Sequence, residues 1–138
     1  MRTLTILPLL ALIGACSNAG NADLAARKAA DEEARLAKAL TGFTPGEPRN
    51  CVDSRDLRGP ESFGDRTLIF RASRNLIYRT ETSGSCKGVG RGDALVTRQF
   101  GSQLCKGDIA RSADLVAGFQ TGACAMGEFV PYRRDRKD

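Results

Sequence analysis

The chain of 138 residues contains no histidine. Ser-His-Asp hydrolases and Cys-His nucleophilic enzymes need an imidazole as their general base, so both classes are excluded. Structural zinc sites pair cysteines that are separated by about two to four residues. No two of the five cysteines have that spacing, which argues against a zinc site. The sequence predicts neither a metal nor a cofactor.

Long apolar runs are also missing. The longest one, residues 4–13, is shorter than the roughly 20 residues that cross a bilayer. It follows Arg2, and two small residues separate it from Cys16, which is the pattern of a bacterial lipoprotein signal. We therefore expect residues 1–15 to be a signal peptide and Cys16 to carry the acyl chains that anchor the protein in a membrane.

The residue after Cys16 bears on location. An Asp at that position favours inner-membrane retention in enteric bacteria, whereas this chain has Ser17. We expect the protein in the bacterial cell envelope, on the inner leaflet of the outer membrane and facing the periplasm. A soluble periplasmic protein whose signal peptide contains a cysteine is the alternative.

The cysteine count supports lipidation. Modification of Cys16 leaves four cysteines, and an oxidising periplasm favours two disulfides among them. Of the three possible pairings we favour Cys51–Cys124 with Cys86–Cys105, which would clamp the ends of the folded region and tie a central β segment. Cys51–Cys86 with Cys105–Cys124 is the alternative.

Composition divides the mature chain into three parts. Residues 16–48 comprise a small polar tether (17–22), an Ala-rich helix over 23–40 and a Pro-Gly linker (45–48). The apolar stripe of the helix is thin, so we expect the helix to be solvated or loosely packed, with docking on the domain or on a partner as the alternative. Residues 49–132 form the β domain, and residues 133–138 form a charged, frayed tail.

The domain has the pattern of short strands with a turn about every ten residues. It predicts a mainly β fold, a small disulfide-tied antiparallel barrel or sandwich. The predicted strands are 51–57, 67–72, 76–80, 94–100, 102–105, 108–111 and 122–130, with 116–119 left uncertain. The core candidates are Val52, Leu57, Leu68, Phe70, Ile77, Leu95, Val96, Phe100, Leu104, Ile109, Phe119, Met126 and Phe129.

A family resemblance agrees with this layout. Cys51, Cys86, the run LCKGD at 104–108 and the run CAMGEFVP at 124–131 together resemble a family of short proteobacterial lipoproteins, the domain of unknown function 6491. The resemblance covers most of residues 49–131 and includes the hairpin with Tyr78. It implies a periplasmic β domain with disulfides, but it transfers no activity and no functional residue.

Two motifs suggest chemistry. Residues 88–93 resemble a nucleotide-binding loop, but the third glycine is replaced by Asp93 and no helix follows, so a turn is favoured. Asp53 with Asp56, or Asp108 with Asp114, could act as a glycosidase-like carboxylate pair. These acids also suit turns and strand ends, and we expect Asp108 to cap a turn.

Positive charge is the main surface feature. The chain has a net charge of +5, and arginine dominates the first half of the domain. Guanidinium forks suit phosphates and carboxylates, so Arg55, Arg58, Arg71 and Arg79 are candidate anion-binding residues. Periplasmic anions are lipid headgroups, lipopolysaccharide phosphates and peptidoglycan carboxylates, so no nucleic-acid partner is expected. A coding bias towards arginine is the alternative explanation.

These observations favour an envelope lipoprotein with a non-catalytic interaction or structural role. Its expected partners are the membrane, through the N-terminal lipid, and an envelope protein or an anionic glycan or lipid. A binding module for an anionic lipid or glycan is the second hypothesis. A hydrolase that uses paired carboxylates is the third.

Overall fold

The structure, a computed structural model, describes residues 16–99 and 101–134. The predicted signal peptide, the core candidate Phe100 and residues 135–138 lie outside this range. The described chain is mainly β and has one long helix, α1 (Cys16–Leu40), which confirms the predicted fold class. No helix in these two segments is long and apolar enough to cross a membrane.

Within the described residues, eleven strands form three antiparallel sheets. The five-stranded sheet has the order β1-β11-β5-β4-β3, the four-stranded sheet β6-β10-β9-β7, and β2 pairs with β8. The strands are β1 (Thr44–Pro45), β2 (Cys51–Asp53), β3 (Arg58–Phe63), β4 (Thr67–Arg71), β5 (Leu76–Glu81), β6 (Ser83–Ser85), β7 (Ala94–Thr97), β8 (Gln103–Cys105), β9 (Ile109–Asp114), β10 (Phe119–Ala125) and β11 (Phe129–Arg133).

One buried cluster joins all three sheets. Side chains alternate across a strand, so Leu68 and Phe70 of β4 face inward. They meet Phe129 of the same sheet, Cys124 of the four-stranded sheet and Leu104 of β8. The central core therefore lies between the sheets, as the alternating pattern predicted.

The second half of α1 packs on the outer face of the five-stranded sheet. Phe63, Ile69 and Ile77 point to that face and are buried, and the helix places Leu36 and Leu40 against them. This half of the helix therefore docks on the domain, which is the alternative that the sequence left open, and Leu36 and Leu40 stay half-buried in the contact. A few apolar residues at helical spacing are enough to dock the helix, because the sheet supplies most of the apolar surface of this contact.

The predicted tether and linker both belong to regular structure. The helix begins at Cys16, so residues 17–22 are helical. In the linker region, Pro45 of β1 pairs with Tyr132, and the Gly46 N–H donates to the carbonyl of Pro131 at 2.8 Å. Of the predicted tail, Arg133 belongs to β11, and the guanidinium of Arg134 lies 4.3 Å from the centre of the Phe43 ring.

The disulfides join neither predicted set of partners. Cys51 bonds to Cys105, directly across the β2–β8 pair with a Cα–Cα distance of 4.0 Å. Cys86 bonds to Cys124 inside the core. Both pairings considered from the sequence are thus wrong, and the third possible pairing is present. The register between distant strands selects the partners, and this register leaves no local mark in the sequence.

Strand assignments differ from the prediction in several places. β2 and β7 end earlier than predicted, at Asp53 and Thr97, and β9 continues to Asp114. Two further strands were missed and one predicted strand is divided. β3 was missed because it contains Gly59 and Pro60, which is tolerated because β3 is a sheet edge. β6 was hidden in a glycine-rich segment. The predicted strand 122–130 is two strands separated at residues 126–128, where a Cβ on Gly127 would overlap the carbonyl of Glu81.

Three core candidates are exposed instead. Val96, Ile109 and Phe119 are 53%, 52% and 58% exposed. They belong to β7, β9 and β10 of the four-stranded sheet, whose outer surface is not covered by α1. Strand periodicity identified them as apolar positions but could not show which sheet face a helix covers.

Helix docking predicts a difference between two leucines of α1. Leu40→Ala should lower the free energy of unfolding by about 1–2 kcal/mol, because a half-buried leucine loses less than a fully buried one. Leu24, which is 68% exposed, is the matched control, and Leu24→Ala should change stability by less than about 0.5 kcal/mol. Urea unfolding followed by circular dichroism measures both, and equal effects would show that the helix is not docked.

Candidate functional site

Arg58 and Arg71 are direct partners across the β3–β4 pair. Both side chains are exposed, and neither forms an ion pair within 4.0 Å with any residue that the structure describes. They line an open depression of about 300 Å³ together with Glu61 and Ile69. Like charges directly opposite each other destabilise a strand pair, so an anion between the two guanidinium groups would relieve this repulsion.

The other two candidate arginines are neutralised locally. Arg55 forms a two-point contact with Asp53, with Nε–Oδ1 at 3.0 Å and Nη2–Oδ2 at 2.6 Å. Arg79 donates to Glu81 from Nη2 at 2.7 Å. The structure therefore brings together only two of the four predicted anion-binding residues, Arg58 and Arg71.

The Asp53 carboxylate is held in its charged form. The side chain of Arg55 donates two hydrogen bonds to it, and the backbone N–H of Arg55 donates a third at 3.1 Å. These bonds lower the pKa of Asp53 to about 2, because hydrogen bonds to a carboxylate favour the ionised state. A general acid needs a raised pKa, so Asp53 is unsuited to that part of a carboxylate pair.

The second carboxylate pair is separated. Asp108 precedes β9 and Asp114 ends it, so six residues of extended strand place them about 20 Å apart. Glycosidase carboxyls lie within about 10 Å of each other. Asp108 accepts the N–H of Cys105 at 2.7 Å, as expected for a turn cap, and Asp114 accepts the N–H of Val116 at 2.8 Å.

The glycine-rich segment is a closed turn. Residues 89–91 form a 3-10 turn between Gly88 and Gly92, both of which have positive φ angles. The Asp93 carboxylate accepts a hydrogen bond from the Thr121 hydroxyl at 2.6 Å. The loop thus connects β6 to β7 and is fastened to β10, which agrees with the turn that the sequence favoured.

This turn forms one wall of a cleft that the sequence did not reveal. Lys28 and Arg35 of α1 face Lys87 and Arg91 across a space of about 360 Å³. The cleft also contains three acids, Asp31, Glu32 and Asp65. Its mixed charge explains why neither composition nor spacing could identify it.

The hairpin loop of residues 115–118, between β9 and β10, was also missed. Leu115 is 76% exposed and Val116 is fully exposed. The sequence left residues 116–119 as an uncertain strand. Asp114 with Gly118 four residues later is a turn pattern and could have identified the loop.

Metal-ligating residues do not converge within residues 16–99 and 101–134. No group of three or more His, Cys, Asp or Glu side chains there could hold a metal ion. In comparisons with known proteins, no family model, no curated protein and no solved structure matches the chain.

Arg55→Gln should raise the pKa of Asp53 from about 2 towards its ordinary value of 3.8. The folded pKa lies below the unfolded one, so the stabilisation from this pair is complete above the unfolded pKa and is lost as the pH falls through about 2. Carboxyl carbon NMR across an acid titration measures the pKa. Arg58→Gln is the control and should leave the pKa of Asp53 in place; an unchanged value in Arg55→Gln would contradict the assignment.

Proposed function

We propose that the chain is a non-catalytic bacterial envelope lipoprotein whose acyl anchor at Cys16 holds a periplasmic β domain near the outer membrane. Its role is interaction with other envelope components. The apolar segment 4–13 before Cys16 supports the anchor. The resemblance to the domain of unknown function 6491 family is part of the same proposal.

The main supporting observation is the way α1 is divided. The helix has 25 residues and is about 37 Å long at 1.5 Å per residue. Residues 20–31 are exposed, whereas Leu36 and Leu40 pack on the sheet. Such a helix acts as a spacer that begins at the lipidated residue and ends inside the fold, so it sets the direction in which the domain extends from its anchor.

The use of the acidic residues supports a non-catalytic role. Asp108 and Asp114 accept backbone N–H groups at turns, and Asp53 is paired with Arg55. Each of these carboxylates has a structural partner. The disulfides Cys51–Cys105 and Cys86–Cys124 likewise remove four thiols from nucleophilic chemistry.

The anchor is tested by Cys16→Ser in the native bacterial host. We expect loss of labelled palmitate and loss of flotation with membranes, because no other thiol occupies the predicted acylation site. Ser17→Ala is the matched control and should retain both. Globomycin should block processing of the unaltered chain. Continued palmitate labelling of Cys16→Ser would contradict the proposal.

A second candidate function is binding of a phosphate or carboxylate group between Arg58 and Arg71. The supporting observation is the cross-strand guanidinium pair beside the depression of about 300 Å³. Arginine offers paired donors that match both anions. Glu61 borders the same depression and would limit the charge of the ligand.

Inorganic pyrophosphate is a suitable probe for this site. Arg58→Gln and Arg71→Gln should each weaken its binding about tenfold, the effect of losing a charge-assisted hydrogen bond. Arg79→Gln is the control because that guanidinium already pairs with Glu81. Isothermal titration calorimetry measures the affinity. Equal loss in the control, or no binding to the unaltered protein, would refute the site.

A further inference from the structure

We propose that the β9–β10 hairpin loop, residues 115–118, is a second membrane contact that dips into the bilayer beside the lipid anchor. The proposed occupant is a phospholipid bilayer. This inference rests on the proposed function, because it assumes that Cys16 tethers the chain to the same membrane.

The loop is a hydrogen-bonded turn that presents its apolar side chains outward. Asp114 accepts the N–H groups of Val116 and Ala117 through its carboxylate, at 2.8 and 2.9 Å, and that of Gly118 through its carbonyl at 2.8 Å. These bonds satisfy three backbone donors of the turn, those of Val116, Ala117 and Gly118. Leu115 and Val116 nevertheless stay 76% and 101% exposed, so the turn is formed by Asp114 and not by burial of these residues.

Phe119 extends the apolar surface of the loop. It begins β10 opposite Asp114 and is 58% exposed. Leucine, valine and phenylalanine side chains each favour transfer out of water. Three large apolar side chains within five residues of one hairpin therefore form an apolar tip.

The tip lies at the end of the domain from which α1 emerges. Thr121, two residues after Phe119, donates to Asp93 at 2.6 Å and to the carbonyl of Lys87 at 3.0 Å. Lys87 in turn lines the cleft that Lys28 of α1 borders on its other side. The hairpin, the turn 87–93 and the exposed half of the helix are thus neighbours.

Helix length limits the geometry of the contact. Residues 16–28 of α1 extend about 18 Å from the cleft towards Cys16. A helix perpendicular to the membrane would hold the tip away from it. Contact at both points therefore requires the helix to lie oblique to the bilayer, with the domain inclined towards the surface.

Charge at this end is mixed. Lys87 and Arg91 are exposed, and neither has an ion-pair partner within 4.0 Å in the described part of the chain. They share the cleft with the acids Asp31, Glu32 and Asp65, and Asp93 and Asp114 lie close to the hairpin. Contact with a bilayer is therefore expected from the apolar side chains of the tip and not from a net positive charge.

The small size of the tip favours a bilayer over a protein partner. A stable protein interface buries about 800 Å² on each side, which is more than a three-residue hairpin tip can supply. Insertion into the interfacial region of a bilayer needs only a narrow apolar element. A tethered hairpin also meets the bilayer at high effective concentration.

The chain has no tryptophan, so a single indole can report contact with lipid. The acylated chain that carries Val116→Trp is reconstituted into vesicles of phosphatidylethanolamine and phosphatidylglycerol that contain brominated lipid. Ile109→Trp is the matched control, because Ile109 is 52% exposed and lies about 17 Å along β9 from Asp114. Both substitutions leave the core intact.

We expect brominated lipid to quench the Val116→Trp emission and leave the Ile109→Trp emission unchanged. Equal quenching of the two indoles, or no quenching while the chain floats with the vesicles, would overturn the inference and leave the anchor intact. A photo-crosslink from position 116 to an envelope protein without lipid quenching would also overturn it.

If Cys16 is not acylated, the same measurements give a different result. The unaltered chain would then not float with vesicles, and palmitate would be absent from Cys16. In that case vesicles are added to the soluble Val116→Trp chain, and a blue shift of its emission would still support contact at the tip. An unchanged emission wavelength would reject contact at the tip.

Discussion

The packing of α1 against Ile69 and Ile77 is the contact on which the rest of the arrangement depends. These isoleucines point away from the central core, yet they are buried because Leu36 and Leu40 cover them. The contact converts a weakly amphipathic helix into part of the fold. It also determines where the helix leaves the domain, and so where Cys16 lies relative to the strands.

This docking makes the two outer faces of the domain different. The five-stranded sheet is covered by α1, whereas Val96 and Ile109 of the four-stranded sheet stay half exposed near Arg111. The two ends also differ. The exposed half of α1 and the apolar hairpin tip share one end, and Arg58 lies at the start of β3, away from Phe63 and the helix cleft. In the proposed lipoprotein, the end that carries the hairpin tip faces the membrane, and the end that carries Arg58 faces the periplasm.

Ion pairing also divides the four candidate arginines into two that have an acidic partner and two that are available to a ligand. Arg55 and Arg79 lie next to acids two residues away on the same chain, Asp53 and Glu81. Residues i and i+2 share a face of a strand, so the Arg79–Glu81 pair could have been recognised from the sequence. Arg58 and Arg71 meet only through the β3–β4 register. Their repulsion is the feature that an anionic ligand would relieve.

Several predictions from local pattern are confirmed. The β4–β5 hairpin, the turn at 88–93 and the cap at Asp108 each depend on residues a few positions apart. The exposed positions Val96 and Ile109 were assigned to the core because alternation indicates an apolar strand face. Alternation does not indicate whether another element covers that face.

The sequence by itself determined a mainly β domain, an N-terminal helix and four cysteines that pair in two disulfides. Hydrophobic period, helix propensity and composition carry this information because they act over short stretches of chain. Only the tertiary structure decided that Cys51 pairs with Cys105, that α1 docks, and that Arg58 faces Arg71. Each of these depends on the register and packing of segments far apart in the chain, which the side chains of the whole core specify together.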